Sequence, residues 1–381
     1  MGFGIIGWLA RIALFLALGA AISLFQLDRA TASRPELIGL VPQGLGGEAD
    51  LTRAQMLITT EPTSAESATR SVLQHRPIPA HHLSLRALYL VESDLAEPAG
   101  VALTEAAKRG WRDLYTQITV LGSALSTGNA VAAAQRLEAI IRHVEEWDVQ
   151  AAAAEQVLMV PEGREAFAER LAESPGLSAN LVELSQRYGK LAPATGEMFK
   201  LARGKSGMIP CEDIAALARR LLAMGEGRPG SDLWYDTCGE GDQSGFALQY
   251  ATDDIDPFGW QFEKGDGVAT KPGSQADTLT VANRSPVRKA VAYRFASLPA
   301  GVHRFRLQWK AERPSASAGE SELDLELKCG GRQSTDLLEN SAMVDDEFQY
   351  TVPADCDLQV LSLISSRGRK ADVNLSKIRP V

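Results

Sequence analysis

The sequence predicts a multidomain protein in which an α-helical module precedes an antiparallel β-sandwich, behind an apolar N-terminal membrane segment. Upstream of about residue 240, apolar residues recur at helical spacing, as in Leu83, Ala87 and Leu90. Downstream of that point they alternate with polar residues, as in the run 303–310 (HRFRLQWK), which is typical of half-buried strands. Near the N-terminus, residues 12–25 form an uninterrupted run without charge. These three patterns predict a membrane segment, a helical module and a β-sandwich, in that order along the chain.

The composition is that of a folded protein with sizeable cores. Of the 381 residues, 45% are hydrophobic and 23% are charged, and the formal net charge is −9. Nucleic-acid binding needs a basic face, so nucleic acid is not expected as the main partner. The sequence carries no catalytic motif and no metal-ligand spacing. We therefore expect a protein that is not an enzyme and has neither a cofactor nor a metal site.

The apolar run 12–25 (IALFLALGAAISLF) determines the predicted compartment. Arg11 precedes it and residues 30–32 (ATA) follow it, which is the order found in a secretory signal peptide cleaved after Ala32. The alternative is an uncleaved inner-membrane anchor through residues 3–27, which are numerous enough to span a bilayer. Arg11 inside that span costs roughly 2.5–3.5 kcal/mol on insertion scales, whereas its apolar N-terminal flank favours the anchor. Both of these alternatives place the rest of the chain in the periplasm or outside the cell. A plain buried helix is the remaining alternative for the segment.

The four cysteines form two pairs with equal spacing. Cys211 and Cys238 end the helical part, Cys329 and Cys356 lie in the β part, and 27 positions separate each pair (238 − 211 and 356 − 329). Neither pair has the C-x-x-C spacing of a zinc or thioredoxin-like site. An even number in an exported chain predicts one disulfide in each module, and four unpaired buried thiols are the alternative.

Changes in composition along the chain predict the domain boundaries. The N-terminal segment covers residues 1–32, and a Gly/Pro-containing linker covers 33–50. The helical module extends over 51–235, a Gly-rich junction over 236–255 and the sandwich over 256–381. Helical periodicity predicts helices at 64–75, 79–95, 101–109, 111–125, 130–146, 163–173, 177–188, 196–201 and 211–224. The motif at 97–100 (EPAG) predicts a turn.

Two stretches of the helical module resemble each other at a spacing of about 33 residues. Residues 85–89 (LRALY) lead to 106–111 (AAKRGW), and residues 118–122 (ITVLG) lead to 139–142 (AIIR). A repeated unit of helix, short turn and helix resembles a degenerate tetratricopeptide repeat, here over about residues 52–150. The resemblance implies stacked helix pairs whose surface binds a protein partner without catalysis. An ordinary irregular helical domain is the alternative.

The C-terminal module contains strand-like runs that alternate with Gly, Pro, Asn and Asp. They lie at 259–263, 278–282, 290–295, 301–311, 321–329, 347–352, 358–365 and 372–378. The runs 295–305 (FASLPAGVHRF) and 372–378 (DVNLSKI) resemble parts of jelly-roll carbohydrate-binding modules. That resemblance covers about residues 256–381 and implies a two-sheet sandwich with glycan as a candidate ligand.

One predicted strand, 301–311, carries a row of cations on its polar face. Arg304, Arg306 and Lys310 are the candidate residues for binding an acidic polysaccharide or another anion. The alternative is cross-strand ion pairing with the acidic face of the run 321–329, where each pair contributes a few tenths of a kcal/mol up to about 1 kcal/mol. The aromatic residues of these strands alternate with polar ones, which indicates core packing rather than sugar stacking.

The complete layout resembles membrane-anchored bacterial envelope proteins with divergent tetratricopeptide-like helices and a C-terminal jelly roll. Some such proteins accompany extracellular polysaccharide production. The resemblance implies a non-enzymatic envelope scaffold whose helical module docks an envelope protein and whose sandwich binds glycan. Two alternatives remain open. One is a purely structural assembly subunit, and the other is a glycan-active enzyme, for which no pair of carboxylates stands out in the sequence.

Overall fold

The structure of the chain is a computed structural model. It describes residues 2–45, 47–205, 209–239, 248, 255–265, 267–273, 278–311, 323–330, 337–338, 340–344, 347–365 and 369–378. The chain is helical in its N-terminal two thirds and forms antiparallel sheets in its C-terminal part, which confirms the predicted fold class. It divides into two compact units, Met1–Glu146 and Trp147–Val381. The second unit therefore contains both helices and the sheets.

The first unit begins with a long apolar helix, α1 (Gly2–Ala30). Its Gly7–Ala30 portion is long and apolar enough to cross a membrane. Large apolar side chains such as Phe15 and Leu16 are exposed along it. Because a signal sequence and an anchor share these properties, the helix by itself fits either alternative.

Three helical hairpins follow α1 in the first unit. Their helices are α2 (Glu48–Thr60), α3 (Pro62–His75), α4 (Ala80–Glu92), α5 (Ala96–Arg109), α6 (Leu114–Ser126) and α7 (Ala130–His143). Helix α3 packs on α2, α5 on α4 and α7 on α6, and α3 also packs on α4. A cluster of buried apolar residues from α2 to α5, including Ile58, Val72, Leu85 and Leu90, forms the core of the first two hairpins.

The turn before α5 lies earlier than the sequence predicted. Residues 97–100 belong to the first turn of α5, where the missing N–H of Pro98 has no intrahelical acceptor to lose. The chain instead reverses at Asp94, which has a positive φ of 58°. Ala99 is buried in the core cluster, so packing of this residue favours the helix over a Gly/Pro turn.

Six α-helices are described at the start of the second unit. They are α8 (Trp147–Leu158), α9 (Pro161–Glu173), α10 (Ser178–Arg187), α11 (Ala192–Gly204), α12 (Cys211–Ala223) and α13 (Gly227–Tyr235). Helix α8 contains the alanine run 151–154, and alanine has the highest helix propensity. Helices α2, α8 and α13 were not predicted from periodicity, because their apolar patterns are short or are replaced by alanine and glycine.

Eleven strands are described in the C-terminal part of the second unit. They are β1 (Gln261–Phe262), β2 (Val268–Pro272), β3 (Leu279–Asn283), β4 (Lys289–Ala296), β5 (Gly301–Ala311), β6 (Leu323–Cys329), β7 (Leu337–Leu338), β8 (Asn340–Val344), β9 (Glu347–Val352), β10 (Gln359–Ser365) and β11 (Arg369–Ile378). The strand order is β1-β4-β10-β6-β7 in one sheet and β2-β3-β11-β5-β9-β8 in the other.

The order of these strands is that of a jelly roll. Strands β3, β11, β5 and β9 are neighbours in one sheet, and β4, β10, β6 and β7 are neighbours in the other. The chain thus crosses repeatedly between the sheets, and its last two strands each insert between two early ones. Phe305 and Phe348 from one sheet pack with Leu325 and Leu361 from the other. The hydroxyl of Tyr350 donates a hydrogen bond to a main-chain carbonyl of the opposite sheet, and burial raises the pKa of that hydroxyl.

Candidate functional site

The cations predicted on β5 lie beside β9. Arg304 Nε donates to Gln349 Oε1 at 2.8 Å, and the guanidinium of Arg306 forms an ion pair with Glu347. The backbone of Lys310 pairs with Asp372 of β11, and its side chain lies outside the described part of the chain. On β5, the charge of Arg306 is thus neutralised by a carboxylate, whereas Arg304 is hydrogen-bonded to an uncharged side-chain amide.

The partners for cross-strand ion pairing differ from those that the sequence suggested. The acidic strand β6 lies between β10 and β7, in the sheet that does not contain β5. There the guanidinium of Arg288 contacts the carboxylates of Asp324 and Glu326, the latter at 3.4 Å. Strand alternation identifies which residues face solvent but not which sheet holds each strand. The alternating acidic residues of β6 therefore could not identify Glu347 of β9 as the partner of Arg306.

A shallow apolar groove lies on the surface of the α4–α5 hairpin in the first unit. It has a volume of about 460 Å³ and is lined by Leu83, Pro98, Val101 and Ala102, with Glu97 and Glu105 among the lining residues. Val101 is 65% exposed. We call these six residues the α4/α5 groove. The sequence did not reveal it, because Leu83 and Val101 fit the core-facing periodicity of their own helices.

The acidic residues of the α4/α5 groove differ in their contacts. Glu105 forms ion pairs with Lys108 at 2.6 Å and Arg109 at 3.3 Å. The hydrogen bond and the charge of Lys108 lower the pKa of Glu105, and Arg109 adds to the effect. Glu97, in the first turn of α5, makes no ion pair with any residue that the structure describes. The groove therefore combines exposed apolar surface with negative charge.

Asp28 near the end of α1 caps the first helix of the hairpins. Its Oδ1 accepts from the backbone N–H of Ala49 at 3.0 Å, and its Oδ2 accepts from that of Glu48 at 3.2 Å. Asp28 is buried, as is Thr31, whose hydroxyl donates to the Asp28 carbonyl at 2.6 Å. A carboxylate at a helix N-terminus satisfies otherwise unpaired N–H groups. Residues that signal-peptide cleavage would remove are thus part of the folded first unit.

Both predicted cysteine pairs lie at bonding distance in the second unit. Cys211 and Cys238 have a Sγ–Sγ distance of 2.13 Å, and Cys329 and Cys356 one of 2.08 Å. Two disulfides indicate an oxidising compartment, either extracellular or periplasmic. In the part of the chain that the structure describes, no group of three or more His, Cys, Asp and Glu residues is arranged to hold a metal ion.

Helices and jelly roll are joined by close contacts within the second unit. The rings of Tyr235 and Phe258 are 5.5 Å apart, and Arg228 forms an ion pair with Asp357 at 3.0 Å. A Cβ atom at Gly227 would lie 2.5 Å from the Asp357 carbonyl oxygen. Only glycine therefore fits between the start of α13 and the loop before β10.

Comparisons with known proteins leave the family open. No protein-family model matches the chain, and no curated protein matches it. Among solved structures, the chain is similar to one from a crystal structure of accessory secretory proteins 1, 2 and 3 of Streptococcus pneumoniae. That similarity has 14% sequence identity and a TM-score of 0.23, and it covers 37% of this chain and 99% of the other. A likeness this low carries no argument about fold or function.

Proposed function

We propose that the protein is a non-enzymatic scaffold of the cell envelope, anchored in the inner membrane through α1, whose first helical unit docks a partner protein. The main support for an uncleaved anchor is the Asp28 cap, because cleavage after Ala32 would remove Asp28 and leave the N-terminus of α2 without its capping carboxylate. A retained apolar helix of this length stays in the bilayer. The two disulfides support placing the folded part on the oxidising side.

The α4/α5 groove supports the docking role. Its occupant in this proposal is an apolar segment of a partner protein with a basic residue beside it, since Glu97 supplies an unneutralised carboxylate next to Val101. Three consecutive helical hairpins are also what the tetratricopeptide-like resemblance implies. The starts of α4 and α6, and those of α5 and α7, are each 34 residues apart (114 − 80 and 130 − 96), which is the length of that repeat.

Site-specific photo-crosslinking in cells tests this function. A photoreactive amino acid placed at Val101 of the full chain is expected to yield a discrete adduct in the membrane fraction. Thr104, which is exposed on the same helix but does not line the groove, is the matched control. A chain recovered in soluble form without α1, or equal labelling from both positions, would contradict the proposal.

A second candidate function is binding of an acidic polysaccharide by the jelly roll. The specific observation in its favour is the exposed Arg304, whose guanidinium is bonded to an uncharged amide rather than to a carboxylate. Retention of the full chain on immobilised polygalacturonate, lost in Arg304→Gln but not in Arg288→Gln, is the expected result. Equal retention of both variants would leave the jelly roll as a structural subunit domain.

A further inference from the structure

Arg136 on α7 is a buried cation that has no anionic partner among the described residues. Its exposed fraction is 8%. Nη1 donates to Gln117 Oε1 at 3.2 Å, whereas the buried Nε has no hydrogen-bond partner. A charge removed from water is unfavourable unless an opposite charge or a full set of hydrogen bonds compensates it. Elsewhere in the first unit, buried or half-buried arginines do have carboxylates, as Arg53 has Asp50 at 2.7 Å.

The surroundings of Arg136 hold its guanidinium in place beside an exposed aromatic ring. Its central carbon lies 4.2 Å from the centre of the Trp111 ring, and Trp111 is 48% exposed. Gln117 Nε2 donates to the Gly110 carbonyl at 2.6 Å, which fixes the amide so that its oxygen faces Arg136. Burial lowers the pKa of Arg136, but a guanidinium stays charged at any physiological pH.

We propose that Arg136 and Trp111 form a recognition site for a carboxylate presented by an Asp or Glu side chain of a partner protein. A guanidinium fork is the side chain best matched to a carboxylate. The exposed Trp111 ring offers apolar surface to the aliphatic stem of an acidic side chain. The inference deepens the proposed docking role and rests on it.

A purely structural role for Arg136 would consist in holding Trp111 and Gln117 at the start of α6. That role requires only that the side chain be present and would show no dependence on ligand charge. Recognition of a carboxylate requires a planar, charged fork. The variant Arg136→Lys retains the charge and loses the fork, so it separates the two roles in a protein that keeps a cation at this position.

Fluorescence anisotropy with the full chain in detergent micelles tests the site. The probe is a fluorescein-labelled decapeptide of alternating Glu and Ala, with a Lys/Ala decapeptide as the charge-reversed control. We expect the acidic peptide to bind, and Arg136→Gln and Arg136→Lys each to weaken binding about tenfold or more. Arg142→Gln, on the same helix but ion-paired with Glu138 at 3.0 Å, is the matched control and is expected to bind normally.

Several results would overturn the proposal. They are absence of acidic-peptide binding, equal affinity in the Arg136 variants and the wild type, or displacement of the peptide by polygalacturonate more readily than by unlabelled peptide. Circular dichroism of each variant establishes that it is folded, and Trp111→Phe provides a second, milder variant that is expected to weaken binding. Because this assay uses purified protein, its failure is distinguishable from failure of the Val101 crosslink in cells.

Discussion

The first helical unit and the jelly roll differ in the surroundings of particular cationic side chains. On the jelly roll, Arg306 faces Glu347, and Arg288 faces Asp324 and Glu326. In the first unit, Arg136 is buried without a carboxylate among the described residues, and an apolar groove lies open beside Glu97. On the jelly roll, Arg304 bonds to the amide of Gln349 and remains the candidate residue for an anion. These differences favour the proposed docking of a partner by the helical unit over a docking role for the jelly roll.

The largest expected effect is at the contact between helices and jelly roll in the second unit. Gly227→Val places a side chain against the Asp357 carbonyl and Leu358, where no flexible side-chain end can move away. We expect a loss of about 3 kcal/mol in the free energy of unfolding, at the upper end for overpacking, measured by urea titration. Gly100→Ala, at a helical glycine with open space around it, is the control and is expected to be neutral or slightly stabilising. An unchanged urea midpoint for Gly227→Val would show that the jelly roll does not depend on this contact.

The next effect concerns the first unit and its anchor. Asp28→Ala removes the cap of α2 and is expected to cost about 1 kcal/mol. Hydrogen exchange at the amides of Glu48 and Ala49 should accelerate, and a chain that begins at residue 33 should show the same acceleration. If exchange at these two amides is unaffected in both proteins, α1 has no part in the fold of the first unit.

How far the sequence predicts these regions depends on the range of the interactions. Period 3.6 and period 2 are local signals, and they correctly separated the helices from strands such as β5 and β9. The spacing of the four cysteines likewise predicted both disulfide pairs correctly. The Asp28 cap joins residues 20 and 21 positions apart, and the Arg306–Glu347 pair joins residues 41 positions apart. No local pattern specifies such partners, because they depend on how the elements pack.

A smaller effect is a pH dependence of the stability of the first unit. Burial lowers the pKa of His82 in α4, and its hydrogen bond to the Arg76 carbonyl only partly opposes this. The unfolded chain then binds a proton more readily than the folded one below the ordinary histidine pKa of about 6.5. Stability of the first unit is therefore complete above that value and decreases as the pH falls through the lowered pKa. Urea midpoints at pH 7.5 and pH 5 should differ less in His82→Gln than in the wild type, whereas exposed His75→Gln should leave the difference intact.

The smallest expected effect is at the surface ion pair of the jelly roll. Arg306→Gln should lower the free energy of unfolding by less than about 1 kcal/mol, because both side chains are partly exposed and screened by solvent. Raising the salt concentration should remove that difference between variant and wild type. A loss of several kcal/mol in the free energy of unfolding would mean that the packing of β5 on β9 depends on this ion pair.

Two exposed valines allow the most direct test of the comparison. Val101 lies in the α4/α5 groove at 65% exposure, and Val302 lies on β5 at 52% exposure. The measurement is the native mass of the complex solubilised from membranes that contain wild type, Val101→Asp or Val302→Asp. We expect Val101→Asp to release the chain from its partner while Val302→Asp remains in the complex. Release by Val302→Asp with retention of Val101→Asp would contradict the assignment of partner docking to the helical unit.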